Sequence, residues 1–348
     1  MTDPLLHPLM NRRTQSDKPI RFWQQNINKS LISQLDLLNN IDPKQFDFVF
    51  IQEPHIDFLN LTRANHYWTV VYPTQHHANP RTTRSVTLIS TRISKNKWKQ
   101  VHVQSNDVTA VELSSGLGTV TFYNVYNACE HANTLLDLQR FWTQRHPPQH
   151  SNGGNQMVWL GDFNRHHPLW DDPASTHLFT AANMEAAQLL VDLIGTFDMD
   201  MPLPAGMPTI ETFRTGSLSR PDNVFCSASL MHSFVECNTK PELRPARTDH
   251  FPVIGTIDLD PERIAPPVRR NWRCVEWDDF RTALGKNLAA VGPVRPVQDK
   301  DNFLTVFSLL TAAIQSAVDQ HVPETRPSRM PNSGGPASWL SCARKNAA

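Results

Sequence analysis

The sequence predicts an α/β fold built on two packed β-sheets, and three observations predict it. Eight runs read as strands, at 20–25, 46–52, 85–90, 109–113, 119–126, 157–160, 222–226 and 253–257, which is too many for a helical protein. Helical spacing separates some of them, at 30–38, 133–143 and 180–194. The order is mixed rather than strictly alternating, which favours a two-sheet sandwich over a doubly wound parallel sheet.

In chain order, IRFWQQ and FDFVFIQ are β-rich, and the helix between them starts at Ser30. SVTLIS follows, then TAVEL, whose polarity alternates, and TVTFYNVY. The helical stretch 133–143 precedes the apolar MVWL, and the Ala/Leu/Met spacing of 180–194 gives the clearest helix. DNVFC and VIGTI complete the set. No internal repeat is visible.

The 348 residues suffice for one large domain with an extension, or for two domains. Lys and Arg total 33 against 33 Asp and Glu, so a polyanion must be met by a local cluster, and a histone-like or ribosomal protein is excluded. Residues 261–348 hold 12 basic and 8 acidic side chains, leaving 21 and 25 in the first 260. Pro266, Pro267, Arg269 and Arg270 follow the last strand and place a boundary near residue 260. The expected organisation is a disordered segment 1–18, a main domain 19–260, a helical segment 261–325 with amphipathic stretches at 276–288 and 302–321, and a disordered tail 326–348. Apolar runs are short, as at 48–51, against the roughly 18 residues of a membrane span. MTDPLLHPLM also lacks the order of a signal peptide, so a soluble intracellular protein with no membrane partner is expected. Cys129, Cys226, Cys237, Cys274 and Cys342 are scattered with no CxxC pair and read as free thiols.

Polar residues repeatedly stop an apolar strand: Gln25 and Asn26 after RFW, Gln52 and Glu53 after FVFI, Asp162 and Asn164 after VWLG, with Asp249 and His250 just before FPVIG. Strand ends are rigid and face one sheet edge, so such residues can converge in a cleft. Taken singly, each has two readings. Glu53 either faces solvent in a loop or binds a hard cation. Asp162 and Asn164 form either an Asx turn or a pair pointing the same way after the turn at Gly161. Asp249 and His250 make either a salt-bridging loop or a metal-binding and charge-stabilising pair.

Together, Asn26, Glu53, Tyr126, Asp162 with Asn164, Asp222, and Asp249 with His250 resemble, in order and spacing over 19–258, the endonuclease/exonuclease/phosphatase superfamily. More narrowly, QQNINKS, IQEP, NVY, GDFNRHHPLW, SRPD and TDHFPV resemble the endonuclease domain of non-LTR (LINE-type) retrotransposons. RRNWRCVEWDDF resembles part of the linker toward a reverse transcriptase. The resemblance implies a four-layer α-β-β-α sandwich of DNase I type, with a short helical C-terminal extension. It implies Mg²⁺-dependent phosphodiester hydrolysis, with Mn²⁺ able to replace Mg²⁺, that nicks one DNA strand and leaves a 3′-OH primer for reverse transcription. Glu53 would be the first metal ligand, with Asn26 and Asp249 close by. Asp162 would activate the water, Asn164 would hold it, His250 oriented by Asp222 would donate to the phosphate, and Tyr126 would offer its hydroxyl. Asn28, Asn127, His166, His167 and Arg84 would contact substrate. DNA is the expected partner, with a reverse transcriptase and element RNA from a longer polyprotein beside it, and the nucleus the expected location, otherwise the cytoplasm.

The basic stretch 81–99 carries Arg81, Arg84, Arg92, Lys95, Lys97 and Lys99 without an acid, and reads either as a phosphate-contacting surface or as a solvated hairpin. His166 and His167 either overlie the groove or form a structural loop. Trp170 reads as core, and Trp272 and Trp277 as anchors of the tail on the main domain. The sequence departs from the family pattern where Tyr126 leads into Asn127-Ala128-Cys129, at Pro221-Asp222-Asn223 and at Thr248, and no reverse transcriptase follows. Two alternatives stand beside the nuclease: a decayed copy that at most binds nucleic acid, and a lipid or inositol phosphate phosphodiesterase.

Overall fold

The computed structural model describes residues 19–116, 118–145, 155–259, 270–293 and 296–324. The chain divides into two compact units, Met1–Ala265 and Pro266–Ala348. The expected disordered ends, 1–18 and 326–348, lie outside the described residues.

In the first unit the order is β1 (Ile20–Asn26), α1 (Leu31–Asn40), β2 (Phe48–Gln52), β3 (Trp68–Val71), β4 (Ser85–Ser90), β5 (Trp98–Val101), β6 (Val108–Ser115), β7 (Gly118–Tyr126), α2 (Asn133–Arg145), β8 (Asn155–Asp162) and α3 (Ala181–Thr196). The short strands β9 (Met199–Asp200), β10 (Ile210–Glu211) and β11 (Leu218–Ser219) follow, then β12 (Asp222–Ser227), β13 (Phe234–Thr239) and β14 (Val253–Ile257). One sheet runs β13-β14-β1-β2-β4-β3 and the other β5-β6-β7-β8-β12-β9, while β10 and β11 form a separate ribbon. Only the β1–β2 and β7–β8 pairs are parallel among the described ladders.

Alternation along the strands explains why two sheets form. Phe22, Phe48, Phe50 and Ile89 of the first sheet meet Val111, Phe122, Val158, Leu160 and Val224 of the second in one core. The intervening residues Trp23, Val49, Ile51 and Leu88 face outward and are covered by Leu37 of α1 with Ile41 and Phe46. On the far side Tyr123, Trp159 and Phe225 are covered by Leu135, Leu138 and Trp142 of α2 and Leu190 and Leu193 of α3. Strands apolar on both faces therefore sit between two helical layers, the four-layer sandwich that the resemblance implies. Ser30 caps α1 by accepting from Ser33 N at 3.1 Å, and Thr180 caps α3 from Asn183 N at 3.2 Å.

Three regular strands escape the sequence reading. β3 and β5 are four-residue edge strands, and β13 is mostly solvated, so none shows a sustained apolar pattern. The basic stretch 81–99 is not one free face. Arg92 bonds Asp47 at 3.1 Å, Lys99 bonds Glu112 at 2.6 Å, and Arg84 turns toward the strand ends described below.

The second unit is a helix pair, α4 (Trp277–Val291) and α5 (Lys300–His321). Phe280 and Leu284 pack on Ala317, Val318 and Val322, and Asn287 donates to the Ala313 carbonyl at 3.1 Å, so the helices run antiparallel. Trp272 and Trp277 pack on each other and on Phe280 within this unit. α5 is long and apolar enough to cross a membrane by length and composition, with a mean hydropathy of 1.2. Counting unbroken apolar runs missed it, because uncharged Ser, Thr and Gln interrupt them. Cys129, Cys226 and Cys237 are free, but Cys274 is disulfide-bonded, against the all-thiol expectation, and Cys342 lies outside the described residues.

Candidate active site

Register brings the polar strand ends together. Asn26 pairs with Gln52 across the parallel β1–β2 ladder, so Glu53 follows at the same edge. In the other sheet Asp162 lies in register with Tyr126 on one side and Asp222 on the other. Gly161 makes this closeness feasible: its φ is +138°, and a Cβ there would lie 2.0 Å from the Val125 carbonyl oxygen.

A buried polar network joins the two edges. Asn26 Nδ2 donates to Asp162 Oδ2 at 2.8 Å, and Gln24 Nε2 donates to Asp222 Oδ1 at 3.0 Å and to Gln52 Oε1 at 2.7 Å. Gln52 in turn donates to Asn124. Asp222 Oδ2 meets His250 Nδ1 at 2.8 Å and accepts from Thr209 Oγ1 at 2.8 Å. Asp162, Asp222 and His250 all lie buried, with potential ligand atoms within 4.8 Å of one another.

Their electrostatics diverge. Burial, then the charge of Asp222, pushes the Asp162 carboxyl up to about 7. Burial pulls His250 down, but the charge and hydrogen bond of Asp222 outweigh it and raise the imidazole to about 9. The Asp222 carboxylate on Nδ1 thus favours the protonated imidazole at neutral pH.

Glu53 stands slightly apart, in a left-handed backbone conformation at φ +46°. Its carboxylate takes Arg84 Nη1 at 2.6 Å and lies 4.0 Å from Lys29 Nζ. Arg84 Nη1 also reaches the Tyr126 hydroxyl at 3.3 Å, and burial followed by the charge of Glu53 pushes the pKa of that phenol well up. Asn26, expected as a metal neighbour, uses its amide nitrogen on Asp162 and its Oδ1 on Asn28 N at 2.8 Å. Asp249 is half-buried, and its carbonyl accepts from Glu211 N. The three-residue cluster thus differs from the Glu53, Asn26 and Asp249 set read from the sequence.

The remaining candidates act on loops. Asn164, at φ +50°, donates its backbone N–H to Asp162 Oδ1 at 3.1 Å and its Nδ2 to the Asn127 carbonyl at 2.9 Å. Asn127 is buried, donates Nδ2 to the Phe163 carbonyl at 2.9 Å, and leaves its own Oδ1 buried without a partner. His166 Nδ1 lies 3.3 Å from Asp171, and the His167 N–H also bonds Asp171, at 2.9 Å. Burial lowers the His167 imidazole, and its ring packs on Trp170, a fully buried core residue.

Sequence reasoning missed Arg165, Arg220 and Asp171. Arg165 is buried and bonds the carbonyls of Asn164 at 2.7 Å, Ala128 at 3.0 Å and His131 at 2.7 Å, so it ties the segment after Tyr126 to the Asp162 turn. Arg220 is buried too, and burial lowers it to about 10. Its Nε donates to Asn223 Oδ1 at 3.0 Å and Nη2 to the Leu203 carbonyl at 2.9 Å, while its backbone N–H bonds Asp171 at 3.1 Å. The polar Asn223 that departs from the family pattern is thereby answered by Arg220. Thr248 donates to the Asn26 carbonyl at 2.8 Å and accepts from His250 N at 3.3 Å. The one signal available was an arginine beside each catalytic-type turn, in FNRHH and SRPD.

Residues 120–254, which carry Tyr126, Asp162, Asn164, Asp222 and His250, match the family described as endonuclease-reverse transcriptase. Over that stretch the chain is similar to endonuclease/exonuclease/phosphatase domains. The RNA-directed DNA polymerase from mobile element jockey of Drosophila melanogaster is 21% identical over 274 residues, 76% of this chain and 27% of that protein. The chain thus spans about a quarter of that relative. Among solved structures, the domain is similar to the endonuclease domain of TRAS1, a telomere-specific non-LTR retrotransposon, at 17% identity and a TM-score of 0.54, covering 69% of this chain and 99% of that one. The AP endonuclease LMAP from Leishmania major gives 13% identity and a TM-score of 0.56, covering 74% and 92%. These two likenesses show the fold.

Proposed function

We propose that the domain hydrolyses phosphodiester bonds in DNA with a divalent cation, nicking one strand and leaving a 3′-OH that a reverse transcriptase extends. The observation that carries the reading is one buried cluster in which Asp162, held by Asn26 and the Asn164 N–H, stands beside a His250 imidazole locked on Asp222, with their ligand atoms within 4.8 Å of one another. A carboxylate and an oriented imidazole placed this way can serve as base and acid side by side. Asp162, held by Asn26 and the Asn164 N–H, takes the proton of the attacking water. Asn164 Oδ1 aligns that water. The His250 imidazolium, locked through Nδ1 on Asp222, donates its other N–H to a phosphate oxygen. The Tyr126 phenol stays protonated and donates to the phosphate or the leaving oxygen.

Glu53 fits a hard cation. Its buried carboxylate already holds a positive group, Arg84, and a carboxylate oxygen is the ligand Mg²⁺ prefers. Asp249 and Asn28 complete the candidate shell, and the ion would neutralise developing charge on the phosphate. The retained His166–Trp170 loop and the jockey likeness favour DNA over a lipid or inositol phosphate. The bonds made by Arg165 and Arg220 around Asn127 and Asn223 favour a working site over a decayed copy. A nuclear location follows from this substrate and is tested by imaging a tagged chain.

The experiment is conversion of supercoiled plasmid to nicked circle by the purified chain with Mg²⁺, beside EDTA and Asp162→Ala. Nicking abolished by both supports the reading. A folded protein that does not nick, or nicks equally in EDTA, sinks it.

A further inference from the structure

We propose that Arg84 is an exchangeable counter-charge. It holds Glu53 until a divalent cation takes that carboxylate, and then turns its guanidinium to the phosphate of the bound nucleic acid. The inference rests on the reading of Glu53 as the cation ligand.

The existing contact is built to be exchanged. An arginine fork fits a carboxylate with two parallel bonds. Here one nitrogen, Nη1, serves both Glu53 Oε1 at 2.6 Å and the Tyr126 hydroxyl at 3.3 Å. The pair therefore uses a fraction of what the guanidinium offers. The Glu53 side chain is 12% exposed and that of Arg84 31%, so Arg84 is the member with access to solvent and substrate. A divalent cation brings twice the charge and prefers oxygen ligands, so it displaces the guanidinium from Glu53.

Once released, Arg84 cannot leave the site. Its carbonyl accepts from Glu53 N at 2.8 Å and its N–H bonds the Asn106 carbonyl at 3.0 Å, which pins the backbone. Its guanidinium carbon lies 5.2 Å from the Tyr126 ring centroid, a cation–π contact that keeps the stem beside the phenol after the carboxylate is gone. The freed fork then meets a phosphate next to Tyr126, where a bidentate anion contact is available. Arg84 thus keeps Glu53 neutralised before the metal arrives, and the metal converts it into a substrate contact.

The proposal gives two effects of opposite sign in one variant. Binding of Mn²⁺ to the full chain, without DNA, is followed by the paramagnetic resonance of free Mn²⁺ in wild type, Arg84→Ala, Arg84→Lys and Glu53→Gln. Arg84→Ala should bind Mn²⁺ about three- to tenfold tighter, because a competing charge is gone. Its plasmid-nicking kcat at saturating Mn²⁺ should fall about tenfold or more, because the phosphate contact is lost. Arg84→Lys should return Mn²⁺ affinity toward wild type without restoring kcat, since an ammonium lacks the fork. Thermal melts confirm folding, and Arg84→Met, which keeps the stem on Tyr126, substitutes if the alanine variant unfolds. Unchanged or weaker Mn²⁺ binding in Arg84→Ala, with binding lost in Glu53→Gln, overturns the exchange and leaves the metal reading standing. Mn²⁺ binding indifferent to Glu53→Gln overturns both.

Discussion

At the scale of single residues, the pair Asp162 and His250 sets a pH window. In the proposed mechanism turnover needs Asp162 ionised and His250 protonated, so the nicking rate should climb as pH passes about 7 and fall beyond about 9. A pH profile of kcat/KM with no descending limb would remove His250 as the donor. Stability carries the same signature. The folded state holds the His250 proton up to about 9, whereas the unfolded chain releases it near 6.5. That contribution is therefore complete below 6.5 and is lost as pH rises toward 9. Asp162, raised from 3.8 to about 7, adds loss of the same sign at lower pH. Melting temperature should thus decline from pH 5 to 9, and the decline should flatten in His250→Gln. Asp162→Asn should separate function from stability: about 10²- to 10³-fold lower kcat, with a melting temperature at pH 8 at or above wild type, since a buried charge is removed.

At the scale of elements, two strand ends carry the site and each has a local vulnerability. Gly161 lies one residue before Asp162 with its hydrogen face against Val125 O, so Gly161→Ala requires β7 and β8 to separate. Destabilisation of ~2 kcal/mol or more in urea unfolding is expected, from backbone strain and overpacking together. At β12, Arg220→Met leaves Asn223 Oδ1 and the Leu203 and Pro204 carbonyls without their donor. A cost of ~3 kcal/mol follows from unsatisfied buried groups. Arg220→Met with Asn223→Val should cost less than the sum of the single changes, and strict additivity would show that the two side chains act independently. The parallel strand ends and α3 were legible in the sequence because apolar patterns announce them. β3, β5 and β13 were not, because edge and solvated strands lack that pattern.

At the scale of the whole chain, the second unit has its own character. The described part of this unit has a single small core, and α5 leaves Phe303, Leu304, Phe307, Leu310 and Ile314 exposed, with no charged residue between Asp301 and Asp319. Such a face, on a chain of zero net charge, promotes association. Light scattering should show mass rising with concentration in the micromolar range, and Phe303→Ser with Phe307→Ser should return the chain toward monomer. Concentration-independent mass in wild type would show that this face is not sticky in solution. The proposed DNA affinity belongs to this scale too. With the charges balanced overall, and Arg92 and Lys99 paired with Asp47 and Glu112, a shallow salt dependence is expected, and a steep one in filter binding across a salt series would show that further basic groups reach the phosphates.

The sequence by itself determined the two-sheet fold and the order of the polar residues that end its strands, because apolar alternation and the motifs QEP, GDFN and TDH are local properties of the chain. Tertiary structure alone decided which of those residues meet. Asp162 sits against Asn26 across the two sheets at a sequence separation of 136, and Asp222 orients His250 at a separation of 28. The assignment of Glu53 to Arg84 was equally hidden, since their charges are matched only once β2 and β4 pair. So were the buried arginines: a sequence shows a guanidinium as a charge, and only packing shows that Arg165 and Arg220 bond carbonyls and an amide beside the site. Register and burial are properties of distant segments brought together, and they fix both the geometry and the acidity of the groups that do the chemistry.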